Sequence, residues 1–212
     1  LLGQNVNSYL RAEKWKEKGL EYNGINSFAT LLREINKIEG IERIRFVSPH
    51  PKDFTDDVIE AIADCEKVCK LIHLPLQSGS NTILKLMGRR YTKESYLELF
   101  DKMKKKIPNV SISTDIIVGF PGEDEKDFEE TLEVVNYCKY DNAFTFIYSP
   151  RENTPAAKLK DNVTLEEKEK RLYKLNDTVN KYFLENNKKM IGKIEEVLVE
   201  GISEKKKDNY YG

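Results

Sequence analysis

The 212-residue sequence lacks several features that would place it in a familiar class of protein. Its three cysteines, Cys65, Cys69 and Cys138, form no paired framework, which fits a reducing cytoplasm better than a disulfide-stapled secreted domain. No apolar run approaches the roughly 18 residues of a membrane-spanning helix. Neither a G-x-G-x-x-G loop nor a Walker-type phosphate loop occurs, and this disfavours a doubly wound nucleotide-binding enzyme.

The chain also has almost no net charge. Its formal charge of −1 argues against wholesale electrostatic binding of nucleic acid, but leaves room for a local basic face, because only clustered charge contacts phosphates. Charged residues make up 33% of the chain and apolar residues 39%, as in a globular protein that buries one core. The cysteines do not have metal-ligand spacing, so we predict structural thiols and no metal site.

Apolar strands and amphipathic helices alternate along the chain. Repeated βα units imply right-handed crossovers and a parallel sheet, either doubly wound or closed into a barrel. From residue 165 to 190 a long charged helix is predicted, which we interpret as a connector leading out of the domain. The predicted strands span residues 1–6, 44–48, 71–76, 110–118, 143–148 and 193–202, and the predicted shorter helices span residues 26–37, 55–63, 80–87, 93–107 and 123–140.

The most informative segment is the sequence GFPGE at residues 119–123, between an apolar strand and an acidic helix start. This is a strand, a tight turn and a helix N-terminus, the join at which α/β proteins place ligands. Two glycines allow the backbone to approach a ligand closely, and free N–H groups at the helix start favour an anionic or polar one. The alternative is a structural turn without a ligand.

Polar residues also recur at the ends of the predicted strands. Ordinary turns need one or two such residues. Five strand ends that each carry several polar residues therefore indicate a shared polar ligand. Gln and Asn side chains can each donate and accept, which suits ribose hydroxyls and adenine edges. The alternative is that Asn and Ser serve as turn and cap residues. The five segments are residues 3–8, 48–51, 77–81, 115–123 and 149–155.

Taken together, these motifs resemble the radical S-adenosylmethionine methylthiotransferases. The resemblance runs from residue 1 to about residue 201, and within the family it is closest to the branch that modifies N6-isopentenyladenosine in tRNA. The motifs that carry it are GQNVNSY (residues 3–9), RFVSPHP (45–51), HLPLQSGS (73–80), LMGRRY (86–91), IVGFPGE (117–123) and TPAA (154–157).

The resemblance implies an α/β fold, a partial (β/α) TIM-like barrel of the radical S-adenosylmethionine type. Residues 1–158 would form the barrel, truncated at its N-terminus, and residues 159–191 the connecting helices. Residues 192–212 would form the first strand of a truncated C-terminal β-rich, TRAM-like RNA-binding module. Both ends of the chain therefore look cut.

The resemblance also implies the residues that hold S-adenosylmethionine. Gln77 would contact the ribose, Arg89 the carboxylate, and Asp115 a ribose hydroxyl or the amine. An Arg–carboxylate contact can be bidentate, which Lys reproduces poorly. The alternative for Arg89 is a surface residue paired with Glu94. The other implied cofactor-binding residues are Gln4, Asn5 and Asn7 at the methionine amine, Gly119, Pro121 and Gly122 along the adenine, and Ser78.

For the substrate, Ser149 and Arg151 are the implied contacts with the tRNA base or phosphate. The alternative for Arg151 is a loop salt bridge to Glu152 or Asp124. Basic runs at residues 168–171, 188–189 and 205–207 are predicted to line an RNA path, whereas the run at 102–106 suits a helix C-terminus.

The implied activity is transfer of a methylthio group to C2 of the adenosine by radical chemistry. Family members use two [4Fe–4S] clusters, and the cysteines that bind them are missing here, so the segment alone is expected to be inactive and shows no identifiable catalytic residue. The implied partners are tRNA, through an anticodon loop with isopentenyladenosine, and an electron donor such as flavodoxin or ferredoxin. The parent protein is expected to be cytoplasmic and monomeric, with no membrane.

Three alternatives remain open. A sister branch acts on threonylcarbamoyl-adenosine in tRNA, and another acts on an aspartate of a ribosomal protein. The alternative from a different class is a non-catalytic barrel remnant that binds a nucleoside or RNA without a cluster.

Overall fold

The computed structural model describes residues 1–10, 27–204 and 209–211. Its centre is a parallel sheet with the strand order β1 (Leu71–His73), β2 (Ser111–Val118) and β3 (Asn142–Ile147). Two extended segments continue this sheet beyond β1: Ile44 bridges Val68 in parallel, and the N–H of Val47 donates to the carbonyl of Leu1. The described strands form an open, partial barrel, in agreement with the predicted fold class.

Helices connect the parallel segments and cover one face of the sheet. Each helix predicted from the sequence is present within two or three residues of its expected ends, except that residue 26 lies outside the described part of the chain. The helices are α1 (Ser27–Asn36), α2 (Asp56–Asp64), α3 (Asn81–Leu86), α4 (Lys93–Lys106), α5 (Glu125–Cys138) and α6 (Leu165–Lys188), with short 3₁₀ turns at Val6–Ser8, Pro51–Asp53 and Pro155–Lys158.

Side-chain caps explain where several helices begin. The Ser80 hydroxyl accepts from the first N–H groups of α3, and Thr92 and Ser95 form a capping box on α4. Asp124 and Asp127 form a second capping box on α5. Such caps satisfy the N–H groups that a helix start leaves without intrahelical partners, so these starts were predictable from the sequence.

The two faces of the sheet differ in burial. Successive strand residues point to opposite faces, and Ile112 and Ile116 of β2 are fully buried in the core under the helices. The opposite, concave face carries Asp115 of β2, and beside it Phe144 and Phe146 of β3 are about half exposed. In the ranges that the structure describes, the helices cover one side of the sheet and leave the concave side uncovered.

Three predicted strands are shorter than expected. The strand over residues 71–76 ends at His73, because Pro75 has no N–H to donate and Gln77 has a φ of 68°, although Gln77 still bridges Ile116. The segment 44–48 forms a single bridge rather than a ladder. The segment 1–6 bonds to the neighbouring extended segment only through Leu1 and Val6, and the 3₁₀ turn begins at Val6.

The long helix α6 does more than connect. Leu175, Val179 and Tyr182 on its inner face are buried, and the Thr145 hydroxyl of β3 donates to Asn176 at 2.6 Å. This helix therefore packs against β3 and α5, and its interpretation as a connector leading out of the domain stays a prediction. The boundaries of the three domains stay a prediction.

The C-terminal strand also differs from its prediction. Strand β4 (Gly201–Ile202) pairs antiparallel with β5 (Tyr210–Tyr211), and residues 193–200 form no strand. The prediction over residues 193–202 is correct only for its last two residues, and the strand has a partner within the chain. No helix in the described ranges is both long and apolar enough to cross a membrane.

Candidate functional site

A polar cleft of about 160 Å³ opens on the concave side of the sheet. That volume far exceeds the roughly 10–15 Å³ that one water needs, so the cleft has room for a group of many atoms. It brings together four of the predicted cofactor-binding residues from four separate segments. The lining residues are Asn5, Ser48, Pro49, His50, Pro51, His73, Pro75, Gln77, Arg89 and Asp115.

Two polar atoms of this cleft are buried without a hydrogen-bond partner. They are Oδ1 of Asn5, an acceptor, and Nε of Arg89, a donor. A buried polar group that lacks its hydrogen bond costs about 1–3 kcal/mol. An orphan acceptor and an orphan donor in one cleft are complementary to a ligand that carries both an amine and a carboxylate.

Arg89 does not pair with Glu94, the partner that the alternative interpretation assigned to it. The carboxylate of Glu94 instead accepts two hydrogen bonds from the side chain of Asn81, at 2.9 and 3.2 Å. Among the described residues no carboxylate lies within ion-pair distance of the Arg89 guanidinium. The arginine is therefore available to a ligand.

Three of the seven non-glycine residues that have a positive φ in the described ranges line this cleft. Asn5, Ser48 and Gln77 have φ values of 52°, 55° and 68°, in the left-handed region that costs a non-glycine residue roughly 1–2 kcal/mol. Gln77 is held there because its N–H donates to the Asp115 carbonyl and its carbonyl accepts from Ile117. Strain of this kind tends to persist where the surrounding structure orders a functional site.

His73 and Asp115 form a hydrogen-bonded pair inside the cleft. Nε2 of His73 lies 3.1 Å from Oδ2 of Asp115, and Nδ1 of His73 lies 3.0 Å from the Ser113 hydroxyl. We did not predict His73 or His50 as site residues. His50 lies in one of the five polar strand-end segments, so that signal could have found it, whereas His73 stands inside the predicted strand 71–76.

Asn7 and Ser78 support the cleft from outside. The fully buried amide of Asn7 donates to the His50 carbonyl at 3.0 Å and accepts from the His50 N–H at 2.8 Å. The Ser78 hydroxyl lies 3.4 Å from that of Thr131. Gln4 is exposed and lies outside the cleft lining. The structure thus places these three predicted residues away from the group formed by Asn5, Gln77, Arg89 and Asp115.

The turn at residues 119–122 has internal partners for its N–H groups. Oε2 of Glu123 accepts from the N–H of Gly119 at 2.7 Å and of Phe120 at 3.2 Å, and Asn162 accepts from the N–H of Gly122 at 2.7 Å. The capping box occupies the start of α5. These bonds satisfy the N–H groups of Gly119, Phe120, Gly122 and Asp127, and ligand binding at this helix start stays a prediction. Gly119, Pro121 and Gly122 do not line the cleft.

Helix α6 covers this turn with two buried cations. Nη1 of Arg171 lies 3.1 Å from Oε1 of Glu123, and Lys168 pairs with Asp161. Burial raises the pKa of the Glu123 carboxyl, and the Arg171 charge and the two backbone N–H donors offset this only in part. The prediction that the run 168–171 lines an RNA path is wrong for Lys168 and Arg171, which are buried in ion pairs.

The other basic runs, at residues 102–106, 188–189 and 205–207, differ in their surroundings. Lys102 pairs with Asp56 at 2.7 Å and Lys106 lies 3.8 Å from Glu60, so the end of α4 is held against α2. This agrees with the helix C-terminus interpretation of residues 102–106. Lys189 is exposed and donates to Asn186. Residues 205–207 lie outside the described part of the chain.

Ser149 and Arg151 lie in the exposed loop after β3 and do not line the cleft. The Arg151 carbonyl accepts from the Thr154 hydroxyl at 2.7 Å. Its guanidinium forms no ion pair with any residue that the structure describes, so the salt bridges to Glu152 or Asp124 are not formed. The role of these two residues with a substrate stays a prediction.

The cysteines do not suit an iron–sulfur cluster. Cys65 and Cys138 are buried, Cys69 is half-buried, and all three are free thiols. Burial raises the pKa of Cys138 to about 12 and also raises that of Cys65. Cluster ligands are thiolates. The described residues contain no group of three or more His, Cys, Asp or Glu side chains arranged to hold a metal ion.

A parallel βα sheet with polar residues converging on one side is typical of α/β barrel enzymes that bind a ligand at the strand ends. Comparison with known proteins makes the class specific. The model of the Radical SAM superfamily matches residues 19–135, more than half of the chain, and the chain belongs to this superfamily.

Curated relatives match over almost the whole chain. A protein of Clostridium botulinum (strain Langeland) named tRNA-2-methylthio-N(6)-dimethylallyladenosine synthase is 57% identical over 212 residues, which are 100% of this chain and 45% of that protein. Proteins with the same name from Clostridium novyi and Acetivibrio thermocellus are 58% and 54% identical over 203 residues, which are 96% of this chain and 43% and 40% of those proteins. The chain spans less than half the length of these relatives.

A solved structure supports the fold. Coproporphyrinogen III oxidase from Escherichia coli, described as a radical SAM enzyme, superposes with a TM-score of 0.58 over 75% of this chain and 39% of that chain. The sequence identity is 17%, so this likeness concerns the fold alone.

Proposed function

We propose that the chain is the S-adenosylmethionine- and substrate-binding part of an enzyme that adds a methylthio group to C2 of N6-dimethylallyladenosine in tRNA. The observation that carries the proposal is the 57% identity, along the entire chain, to a relative named for this reaction. Membership of the Radical SAM superfamily implies S-adenosylmethionine and an iron–sulfur cluster as cofactors.

The cleft fits the amino-acid end of S-adenosylmethionine. The orphan Oδ1 of Asn5 is an acceptor for an amine N–H, and the orphan Nε of Arg89 is a donor for a carboxylate. Gln77 and Asp115 line the same cleft and offer hydrogen bonds to ribose hydroxyls. Hydrogen bonds to charged groups contribute about 1.5–3 kcal/mol each, enough to orient the cofactor.

S-adenosylmethionine, bound with an iron–sulfur cluster, supplies a radical that removes hydrogen from an unactivated carbon. The residues of this chain contribute binding, orientation and shielding from water. The left-handed backbones of Asn5 and Gln77 hold the polar groups of the cleft in place before the cofactor arrives. Phe144 and Phe146, half exposed on the concave face, offer rings on which a nucleobase can stack.

The remaining parts of the proposal concern the whole protein. The parent protein would hold two [4Fe–4S] clusters through cysteines outside this chain, because the three cysteines present do not suit a cluster. It would act in the cytoplasm as a monomer, with a small electron-transfer protein such as flavodoxin or ferredoxin as reductant. Ser149, Arg151 and Lys189 would contact the tRNA from the exposed loop and the end of α6.

The activity test uses the full-length natural protein with its clusters reconstituted. We expect it to add a methylthio group, detected by nucleoside mass spectrometry, to tRNA that contains N6-dimethylallyladenosine. Unmodified tRNA, tRNA with threonylcarbamoyl-adenosine and ribosomal protein serve as competing substrates. Methylthiolation of one of the latter two instead would assign the enzyme to a sister branch, and no product with any substrate would contradict the catalytic proposal.

The binding test compares two neighbouring arginines. Arg89→Lys removes the planar guanidinium from the cleft, and we expect affinity for S-adenosylmethionine to fall about tenfold to a hundredfold. Arg90→Lys is the matched control, because Arg90 is exposed and does not line the cleft. Equal affinities for the two variants would contradict the assignment of Arg89.

A further inference from the structure

One contact at the cleft joins segments that are far apart in the chain. Nδ2 of Asn5 donates to Oδ2 of Asp53 at 2.7 Å. Asp53 is the last residue of the 3₁₀ turn Pro51–Asp53, which follows directly on the cleft-lining residues 48–50. Asp53 itself does not line the cleft.

This contact decides which way the Asn5 amide points. A carboxylate only accepts hydrogen bonds, so the NH₂ side of the amide must face Asp53 and the carbonyl oxygen must face away. That oxygen, Oδ1, is buried and has no partner among the described residues. Asp53 therefore fixes the orientation of an unpartnered acceptor on Asn5, a residue that lines the cleft.

The Asn5–Asp53 contact is not explained by a need to hold together the two loops that carry these residues. Asn7 already ties them, and it uses both sides of its amide, with the N–H and the carbonyl of His50. Asn5, two residues away, uses one side only and leaves the other unsatisfied in a left-handed backbone conformation with a φ of 52°. An unsatisfied buried acceptor costs free energy that a ligand donor recovers on binding.

We propose that Asp53 is a positioning residue, which orients the Asn5 amide so that its Oδ1 accepts a hydrogen bond from an N–H of the α-amino group of S-adenosylmethionine. This inference rests on the proposed function and deepens it by assigning a role to a residue outside the cleft. The neighbouring Arg89 Nε serves the carboxylate of the same amino-acid group.

The test separates the amino-acid end of the ligand from the nucleoside end. Binding of S-adenosylmethionine and of 5′-methylthioadenosine, which lacks the amino-acid group, is measured by equilibrium dialysis on the full-length, cluster-reconstituted protein. We expect Asp53→Ala to weaken S-adenosylmethionine binding about tenfold, because one hydrogen bond to a charged group loses its orientation. Binding of 5′-methylthioadenosine should change less than about twofold, which is the size of effect expected for a substitution that removes no contact with this ligand.

A double-mutant cycle shows whether Asp53 acts through Asn5. We expect Asn5→Ala to cause the same selective loss, and the double variant to lose no more than either single variant. Asp56→Ala is the matched control, because Asp56 is three residues away and pairs with Lys102 on the surface. It should bind both ligands as the wild type does.

Other outcomes would overturn the inference in recognisable ways. Equal weakening of both ligands would mean that Asp53 holds the cleft as a whole, and additive losses in the double variant would mean that it acts apart from Asn5. If Asp53→Ala does not fold, Asp53→Asn is measured instead. This variant lets the Asn5 amide flip, so we expect a smaller loss of affinity that is again confined to S-adenosylmethionine. If S-adenosylmethionine binding is not selectively weakened, the proposal is overturned. A wild type that binds neither ligand would overturn the proposed function itself.

Discussion

Nη1 of Arg171 on α6 lies 3.1 Å from Oε1 of Glu123 at the end of the GFPGE turn, and both side chains are less than a tenth exposed. The other carboxylate oxygen of Glu123 accepts from the N–H groups of Gly119 and Phe120. This ion pair fastens a helix from late in the chain onto the turn that follows β2. The two partners depend on each other unequally, because Arg171 also pairs with Glu167 at 3.0 Å, whereas the structure describes no second cation at Glu123.

We expect Arg171→Ala to lower the free energy of unfolding by about 3–5 kcal/mol, because it leaves the Glu123 carboxylate buried without a cation. Urea denaturation followed by circular dichroism measures this. Lys170→Ala is the control on the same helix: the Lys170 side chain is mostly exposed and should be replaceable without effect. Similar losses for the two variants would contradict the role of the buried pair.

The pH dependence of stability should show the cost of burying Glu123. Burial raises the pKa of the Glu123 carboxyl in the folded protein above its ordinary value of 4.5. The protonated carboxyl therefore contributes its full stabilisation below pH 4.5. This contribution is lost as the pH rises through the higher pKa of the folded state. Glu123→Gln does not titrate. We therefore expect the wild type to lose stability relative to Glu123→Gln as the pH rises above 4.5, in parallel urea titrations. A constant difference would contradict this.

Gly119 and Gly88 share a φ of 69° but differ in their surroundings. A Cβ at Gly119 would lie 2.3 Å from Cγ of Lys168, whereas nothing lies within 4 Å of a Cβ at Gly88. We expect Gly88→Ala to cost only the backbone term of roughly 1–2 kcal/mol. Gly119→Ala should cost clearly more, because α6 must also move. Thermal melting compares the two, and equal losses would mean that the turn adapts without strain.

The three cysteines should differ in reactivity. Burial raises the pKa of Cys138 to about 12, so almost none of it is thiolate at pH 8, and thiolate is the form that alkylates. Burial also raises the pKa of Cys65, and Cys69 is the most accessible of the three. We expect iodoacetamide to label Cys69 first in the native protein, and all three in urea, as measured by peptide mass spectrometry. Early labelling of Cys138 would show that its surroundings open.

Much of the fold was predictable because its signals are local. The capping residues Ser80, Thr92 and Asp124 stand where α3, α4 and α5 begin, and apolar residues at helical or alternating spacing marked the elements between them. Strand ends were predicted less well. The left-handed backbone of Gln77 is imposed by its hydrogen bonds to Asp115 and Ile117, which are distant in sequence.

The candidate site was predicted in part. Polar residues at strand ends, and the motif resemblance, indicated Asn5, Gln77, Arg89 and Asp115, and the structure brings these four into one cleft. The same reasoning missed His50 and His73. It also included Asn7 and Ser78, whose side chains bond to neighbouring loops.

The sequence by itself determined the class of fold and the order of the βα units, because periodicity and caps are written in neighbouring residues, and its resemblance to a known family indicated four residues of the cleft. Only the tertiary structure decided what the charges on α6 do. Lys168 and Arg171 stand in a charged run that favoured a solvent- or RNA-facing surface, yet both are buried against carboxylates. The partner of a charge is set by how distant elements pack, and no local pattern encodes that partner.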